Sequence, residues 1–153
     1  MSDLERAIEI AAKAHRGKLD KAGQPYILHP LELMLGFRDP EDRIVAVLHD
    51  TVEDSTVTLA DLKQEGFSNE IVAAVDALTR REGERYGDFI LRLSSDPLAR
   101  RVKLVDLEHN MDITRLESVS PEDLERLDKY HRAWLELRKR DAGPAGGPED
   151  PVE

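Results

Sequence analysis

At 153 residues, with 40% hydrophobic and 35% charged side chains, the chain is long enough for one globular domain and too apolar to be disordered throughout. It has no cysteine, which removes disulfides, thiolate metal sites and cysteine nucleophiles, and no apolar run approaches the roughly 18 residues of a membrane span. A net charge of −10 argues against a polymeric nucleic acid as partner but leaves room for a small anionic ligand, and the acidic, amphipathic residues 1–6 are unlike a signal peptide, so a cytoplasmic protein is expected.

The elements follow from caps and helical periodicity. Ser2 and Glu5 have capping-box spacing, and Leu4, Ala7, Ile8, Ala11, Ala14 and His15 share one helical face. Asp39-Pro40, a cap and a first-turn proline, starts a helix through Ile44, Val45, Val47 and Leu48 to about Asp50. Thr58 opens a short helix ending near Gly66. Ser68 opens another, carrying Ile71, Val72, Val75 and Leu78, and Glu84 to Ser94 form a further one. Asp96-Pro97 starts a helix with Leu98, Val102, Val105 and Met111 as its stripe, and Ser120-Pro121 starts the last, to about Arg140. No segment alternates like a strand. The expectation is an all-α fold, a single compact multi-helix bundle over residues 1–140. Residues 141–153, with three glycines, three prolines and four acids, read as a disordered tail.

Three stretches carry chemistry. In Val47-Leu48-His49-Asp50-Thr51-Val52-Glu53-Asp54 an apolar helix ends in a histidine and three carboxylates. Neighbours on a helix point about 100° apart, so His49 and Asp50 can both reach an ion beside the helix but cannot complete its shell. Glu53 and Asp54 lie one turn on, over the same faces. Alone, such acids read as a solvated helix end. Asp106, His109 and Asn110 share one face at i, i+3 and i+4, and Asp106 sits among Leu104, Val105 and Leu107. A carboxylate buried there needs a metal or a salt bridge, for example to Lys103 or Arg101. In Gly23-Gln24-Pro25-Tyr26-Ile27-Leu28-His29-Pro30, the proline biases His29 to an extended conformation at a helix entrance. His15 reads as a buried, hydrogen-bonded histidine, His131 as surface, and Tyr130 and Trp134, at i and i+4 in the last helix, as core, with Tyr130 also a candidate to border a nucleotide. Arg80, Arg81 and Arg85 read as a solvated loop or a basic rim for phosphates.

Taken together and in order, Pro-Tyr-x-x-His-Pro at residues 25–30, His-Asp-x-x-Glu-Asp at 49–54 and Lys-Leu-x-Asp at 103–106 resemble the HD phosphohydrolase superfamily. The closest likeness is to the stand-alone hydrolase domain of RelA/SpoT homologues, the metazoan SpoT homologue type, over about residues 4–135. The resemblance implies an HD-domain bundle in which His29, His49, Asp50 and Asp106 hold one divalent ion. Mn2+ is the ion the family implies, and the donor set also suits Fe2+ or Zn2+ rather than Ca2+. It implies Glu53 and Asp54 as the acids that orient or deprotonate water, and removal of the 3′-pyrophosphate from (p)ppGpp or (p)ppApp-type alarmone nucleotides. The alternatives are the same chemistry on another phosphorylated nucleotide, such as the 2′-phosphate of NADPH, or a nucleotide-sensing module without turnover. Retention of both Glu53 and Asp54 favours the enzyme. No synthetase domain fits this length, so hydrolysis alone is expected.

The match departs where the base would bind. The family's Arg-Lys-x-Gly reads Asp20-Lys21-Ala22-Gly23, so the stacking arginine is absent and a carboxylate stands in its place. Lys18 or Arg16 would have to substitute, and weak guanine preference follows. In the later helix Leu107-Glu108 replaces a pair with a basic residue. Lys21, Lys18, Asn110 and Tyr130 are the expected substrate contacts, and a homo-oligomer is compatible with the sequence.

Overall fold

The computed structural model describes residues 3–141, which form nine α-helices and one 3-10 turn, with no strand among the described residues. The helices are α1 (Leu4–Ala14), α2 (Leu28–Leu35), α3 (Pro40–Leu48), α4 (Thr51–Asp54), α5 (Leu59–Gln64), α6 (Asn69–Ala77), α7 (Tyr86–Leu93), α8 (Pro97–Asn110) and α9 (Pro121–Asp141); the 3-10 turn is Ile113–Arg115. None of them is long and apolar enough to cross a membrane.

The starts of α3, α5, α6 and α8 follow capping chemistry. Asp39 accepts from the Glu41 N–H and Asp96 from the Ala99 N–H, each with proline at the first helical position. Thr58 and Asp61 form a reciprocal capping box, and Ser68 accepts from the Ile71 N–H. α3 is the axis of the bundle. Val45, Ala46, Val47 and Leu48 have no exposed surface, and α1, α2, α6 and α8 pack around them. A helix apolar on every side has to be enclosed in this way. Even Asp42 on α3 is buried, paired with Arg101 of α8 at 2.9 Å.

Several sequence expectations shift. The first helix is capped by Asp3, which accepts from the Arg6 N–H; Ser2 lies outside the described residues. His29 is not extended. A turn at residues 25–29, with Leu28 and His29 N–H donating to the Pro25 and Tyr26 carbonyls, feeds directly into α2, and Pro30 sits in the first turn, where a missing N–H costs nothing. The helix expected to reach Asp50 stops at Leu48. Asp50 adopts φ −119°, ψ 8°, and α4 begins after it. Glu84 stays outside α7, which starts at Tyr86, because its carboxylate is held by Arg92 at 2.9 Å. Asp141 closes α9 and contacts Arg100 at 3.3 Å; the rest of the expected tail, residues 142–153, lies outside the described residues.

Candidate metal and nucleotide site

The break between α3 and α4 positions His49 and Asp50. His49 caps the buried end of α3, and its Nδ1 contacts the Ala46 carbonyl at 2.7 Å. That contact fixes the proton on Nδ1 and leaves Nε2 facing α8. There, Asp106 Oδ1 lies 3.5 Å from His49 Nε2 and 2.8 Å from His29 Nε2. His29, His49 and Asp106 are all buried and offer ligand atoms within 4.8 Å of one another. Asp50 flanks this cluster, with Oδ2 3.9 Å from His49 Nε2. Atoms bound about 2.0–2.2 Å from one ion stand roughly 3–3.5 Å apart, so the spacing suits a divalent cation.

The surroundings of these residues also fit an ion. His29 Nδ1 lies 2.7 Å from His109 Nδ1, and His109 Nε2 contacts Glu32. One consistent proton pattern runs outward: His29 Nδ1–H donates to His109, and His109 Nε2–H donates to Glu32. It leaves the His29 Nε2 lone pair free for a ligand bond, the arrangement that orients metal-binding histidines. Burial pushes the His29 pKa down, which favours this neutral form. Burial also works against charge on His49, but Asp50 and Asp106 outweigh it and raise its pKa to about 9.

Asp106 is held from both sides. Its carboxyl is well below the usual range despite burial, because Lys103 lies 2.9 Å from Oδ2 and His49 faces Oδ1. The pairing weighed from sequence is therefore with Lys103; Arg101 is spent on Asp42. The Asn110 side-chain amide donates to Asp106 Oδ1 at 3.1 Å. Asp50 accepts from the Tyr26 hydroxyl, and His15, fully buried, brings Nε2 to 3.1 Å from Asp50 Oδ1. That last approach is poorly aligned, so Asp50 Oδ1 and both His15 nitrogens lack well-formed hydrogen bonds. Burial raises the pKa of the Tyr26 phenol and the Asp50 charge raises it further, so it remains a donor.

Glu53 and Asp54 stand on α4 at the rim of the same cleft, outside the ligand cluster. Glu53 accepts from the Arg80 N–H at 3.2 Å. Partial burial raises both carboxyl pKa values, and their charges add to the effect: Asp54 on Glu53, and Asp50 on Asp54. Carboxylates made more basic this way are better proton acceptors. The cleft, about 260 Å³, also takes Arg80, Lys103, Lys129, Tyr86 and Tyr130 in its lining. An adjoining hollow of about 310 Å³ shares Tyr26, His29, Asn110 and Tyr130 with it and adds Asp20, Lys21, Arg115 and Arg126.

The expected substrate contacts are thus divided. Asn110 and Tyr130 line both hollows, and Lys21 lines the second. Lys18 donates to the Asp54 backbone carbonyl. Asp20 has a structural task that its position in the motif did not suggest: its Oδ1 accepts from the Ala22 and Gln24 N–H groups, each at 2.9 Å, and closes the turn that carries Lys21. Sequence reasoning missed the His109–Glu32 contact, the Tyr26 hydroxyl on Asp50, and Lys129.

No family model matches the chain. It is 33% identical over 151 residues, 90% of its length, to a GTP pyrophosphokinase of Streptomyces coelicolor. It is 34% identical over 122 residues, 72% of its length, to a guanosine-3′,5′-bis(diphosphate) 3′-pyrophosphohydrolase of Aquifex aeolicus, and 34% identical over 134 residues, 78% of its length, to one from Haemophilus influenzae. A solved structure described as a metazoan ortholog of SpoT that hydrolyzes ppGpp superposes with a TM-score of 0.74 at 20% identity, covering 94% of this chain and 87% of that one. The chain is an HD-type, RelA/SpoT-like domain. It spans 17% of the Streptomyces and Aquifex proteins and 20% of the Haemophilus one. The relatives are thus several times longer than this HD domain, and at 20% identity the solved structure speaks for the fold alone.

Proposed function

We propose that this domain is a metal-dependent phosphohydrolase that removes the 3′-pyrophosphate from a ppGpp-type alarmone nucleotide. The observation that carries the reading is one cleft holding a buried His29–His49–Asp106 cluster with Asp50 beside it and two further acids, Glu53 and Asp54, outside the cluster. Relatives named for this activity support the substrate class.

His29, His49, Asp50 and Asp106 would hold the ion, with Mn2+ the first choice for two imidazoles and two carboxylates and Fe2+ or Zn2+ next. When bound, a divalent ion supplies the positive charge that acidifies water and polarises a phosphoryl oxygen. The chain's own residues do the rest. Glu53, aligned by the Arg80 N–H, accepts the proton of the attacking water, and burial together with the Asp54 charge beside it keeps its pKa raised. Asn110 and Lys103 hold the Asp106 carboxylate. Lys21 and Tyr130 border the neighbouring hollow, where the nucleoside would lie.

The test is incubation of Mn2+-loaded protein with ppGpp, ppApp and NADPH, following pyrophosphate and orthophosphate separately. Pyrophosphate released from the first two supports the reading. Orthophosphate from NADPH alone moves the substrate to a 2′-phosphate, and no release from any of the three leaves a nucleotide-sensing module.

A further inference from the structure

The cleft has two walls of opposite character. The ligand cluster, Glu53 and Asp54 make one wall anionic, while Arg80, Lys103 and Lys129 face them from three other segments. Lys103 is paired with Asp106. Arg80 and Lys129 make no ion pair with any carboxylate among the described residues. Instead both sit on the same ring, and the Arg80 Nε–H also donates to the Glu84 carbonyl at 3.0 Å. The Arg80 guanidinium is 5.7 Å and the Lys129 ammonium 4.6 Å from the Tyr86 centroid, and Lys129 also lies 5.3 Å from Tyr130. Tyr86 Oη is buried without a hydrogen-bond partner.

Two unpaired like charges sharing one aromatic platform repel each other unless an anion lies between them. Burial and the nearby Arg80, Arg126 and Lys103 charges accordingly lower the Lys129 pKa. The unsatisfied phenol adds a donor at the same place. The Arg80 backbone holds Glu53, so the cations stand next to the acid assigned to water activation.

We infer that Arg80, Lys129 and the Tyr86 hydroxyl form an anion subsite for a pyrophosphate group. The two cations take oxygens of two adjacent phosphoryl units, and Tyr86 donates to one of them. The subsite rests on the proposed hydrolysis for its place in a reaction, where it holds the pyrophosphoryl group as it departs. Binding of the anion itself does not depend on turnover.

The experiment measures binding of inorganic pyrophosphate and orthophosphate to metal-free protein by calorimetry, so that chelation of an ion plays no part. It uses the wild type, Arg80→Gln, Lys129→Met, the charge-keeping Lys129→Arg, and Tyr86→Phe. Arg80 and Lys129 are exposed, so these variants keep the core intact. Pyrophosphate is expected to bind tighter than orthophosphate. Arg80→Gln and Lys129→Met should each weaken it about 10-fold or more, Tyr86→Phe by a few fold, and Lys129→Arg should restore it. In turnover the first two should raise KM more than they lower kcat. Wild-type pyrophosphate affinity in both charge-removing variants would overturn the subsite even if ppGpp is hydrolysed. Loss of binding in the variants of a protein that hydrolyses nothing would keep the subsite and overturn the hydrolytic reading instead.

Discussion

Replacing Tyr26 by Phe removes one oxygen and tests whether Asp50 is held ready for a metal. The Tyr26 hydroxyl is the side-chain donor that meets this carboxylate among the described residues, since the His15 approach at 3.1 Å is badly aligned. A hydrogen bond to a charged group contributes about 1.5–3 kcal/mol, and losing it leaves a buried carboxylate oxygen unpaired. Removing the groups that orient a metal ligand costs about 10–100-fold in affinity, which is about 1.4–2.7 kcal/mol. The first figure applies to the fold of the metal-free protein and the second to its Mn2+ affinity. For a domain of this size each kcal/mol moves the melting midpoint by roughly 2–4 °C, so metal-free Tyr26→Phe should melt several degrees lower. The assay is Mn2+ titration of metal-free protein by calorimetry, alongside thermal unfolding with and without the ion. A Tyr26→Phe protein that binds Mn2+ with wild-type affinity and melts at the wild-type midpoint would refute the assignment of Tyr26 to Asp50.

Other outcomes follow from the same geometry. Glu53→Gln should keep the fold and Mn2+ binding but lose turnover by about 100-fold or more, since an amide cannot accept the proton; a wild-type kcat would transfer that role to Asp54. Asp106→Ala should abolish Mn2+ binding and destabilise the protein by about 3 kcal/mol, because it strands the buried Lys103 charge; denaturant unfolding reads the second effect independently of metal. Asp20→Ala should lower stability by about 1 kcal/mol while Asp20→Asn, which keeps the accepting oxygen, should not, and an equal loss in both would show that the turn does not depend on that acceptor. Glu84, held by Arg92 and by the Arg81 N–H, has its pKa lowered from 4.5 to about 2. A depressed carboxyl stabilises the fold above its unfolded value and loses that contribution as pH falls through its folded value. Stability should therefore drop between about pH 4.5 and 2 more steeply in the wild type than in Glu84→Gln, as followed by circular dichroism.

Elements that announce their own start were legible in the sequence. Asp39-Pro40, Asp96-Pro97, Thr58 and Ser68 each begin a helix where capping chemistry puts it. A residue before proline is biased to an extended backbone, which puts His29 at a helix entrance, whereas α2 already starts at Leu28. The Pro25–His29 turn, a local hydrogen-bond pattern with no periodic signal, overrides that bias. The sequence ends α3 at about Asp50, but α4 is four residues long and offers no periodic signal, and the Tyr26 and His15 contacts to Asp50 are tertiary. The three residues that the structure gathers, His29, His49 and Asp106, came from ordered motifs that a reader can scan. The opposite wall is legible only in part: Lys103 belongs to the Lys-Leu-x-Asp motif and Arg80 to an expected basic rim, but Lys129 and Tyr86 lie on separate helices outside any motif. Asp20 shows the limit of motif alignment: it occupies the place of a base-stacking residue, yet its oxygen is spent on closing a turn.

The enclosure of α3 bears on how the site breathes. His49 hangs from the end of the least exposed helix in the molecule, so its amide and those of Val45 to Leu48 should exchange hydrogen only when the whole domain opens. The turn bearing Asp20 to Gln24 has little around it and is tied mainly by its own hydrogen bonds. The site therefore joins a fixed side, the buried cluster at the end of α3, to an exposed turn at the edge of the adjoining hollow. Substitutions can accumulate in that turn without disturbing the packing that holds His49 in place.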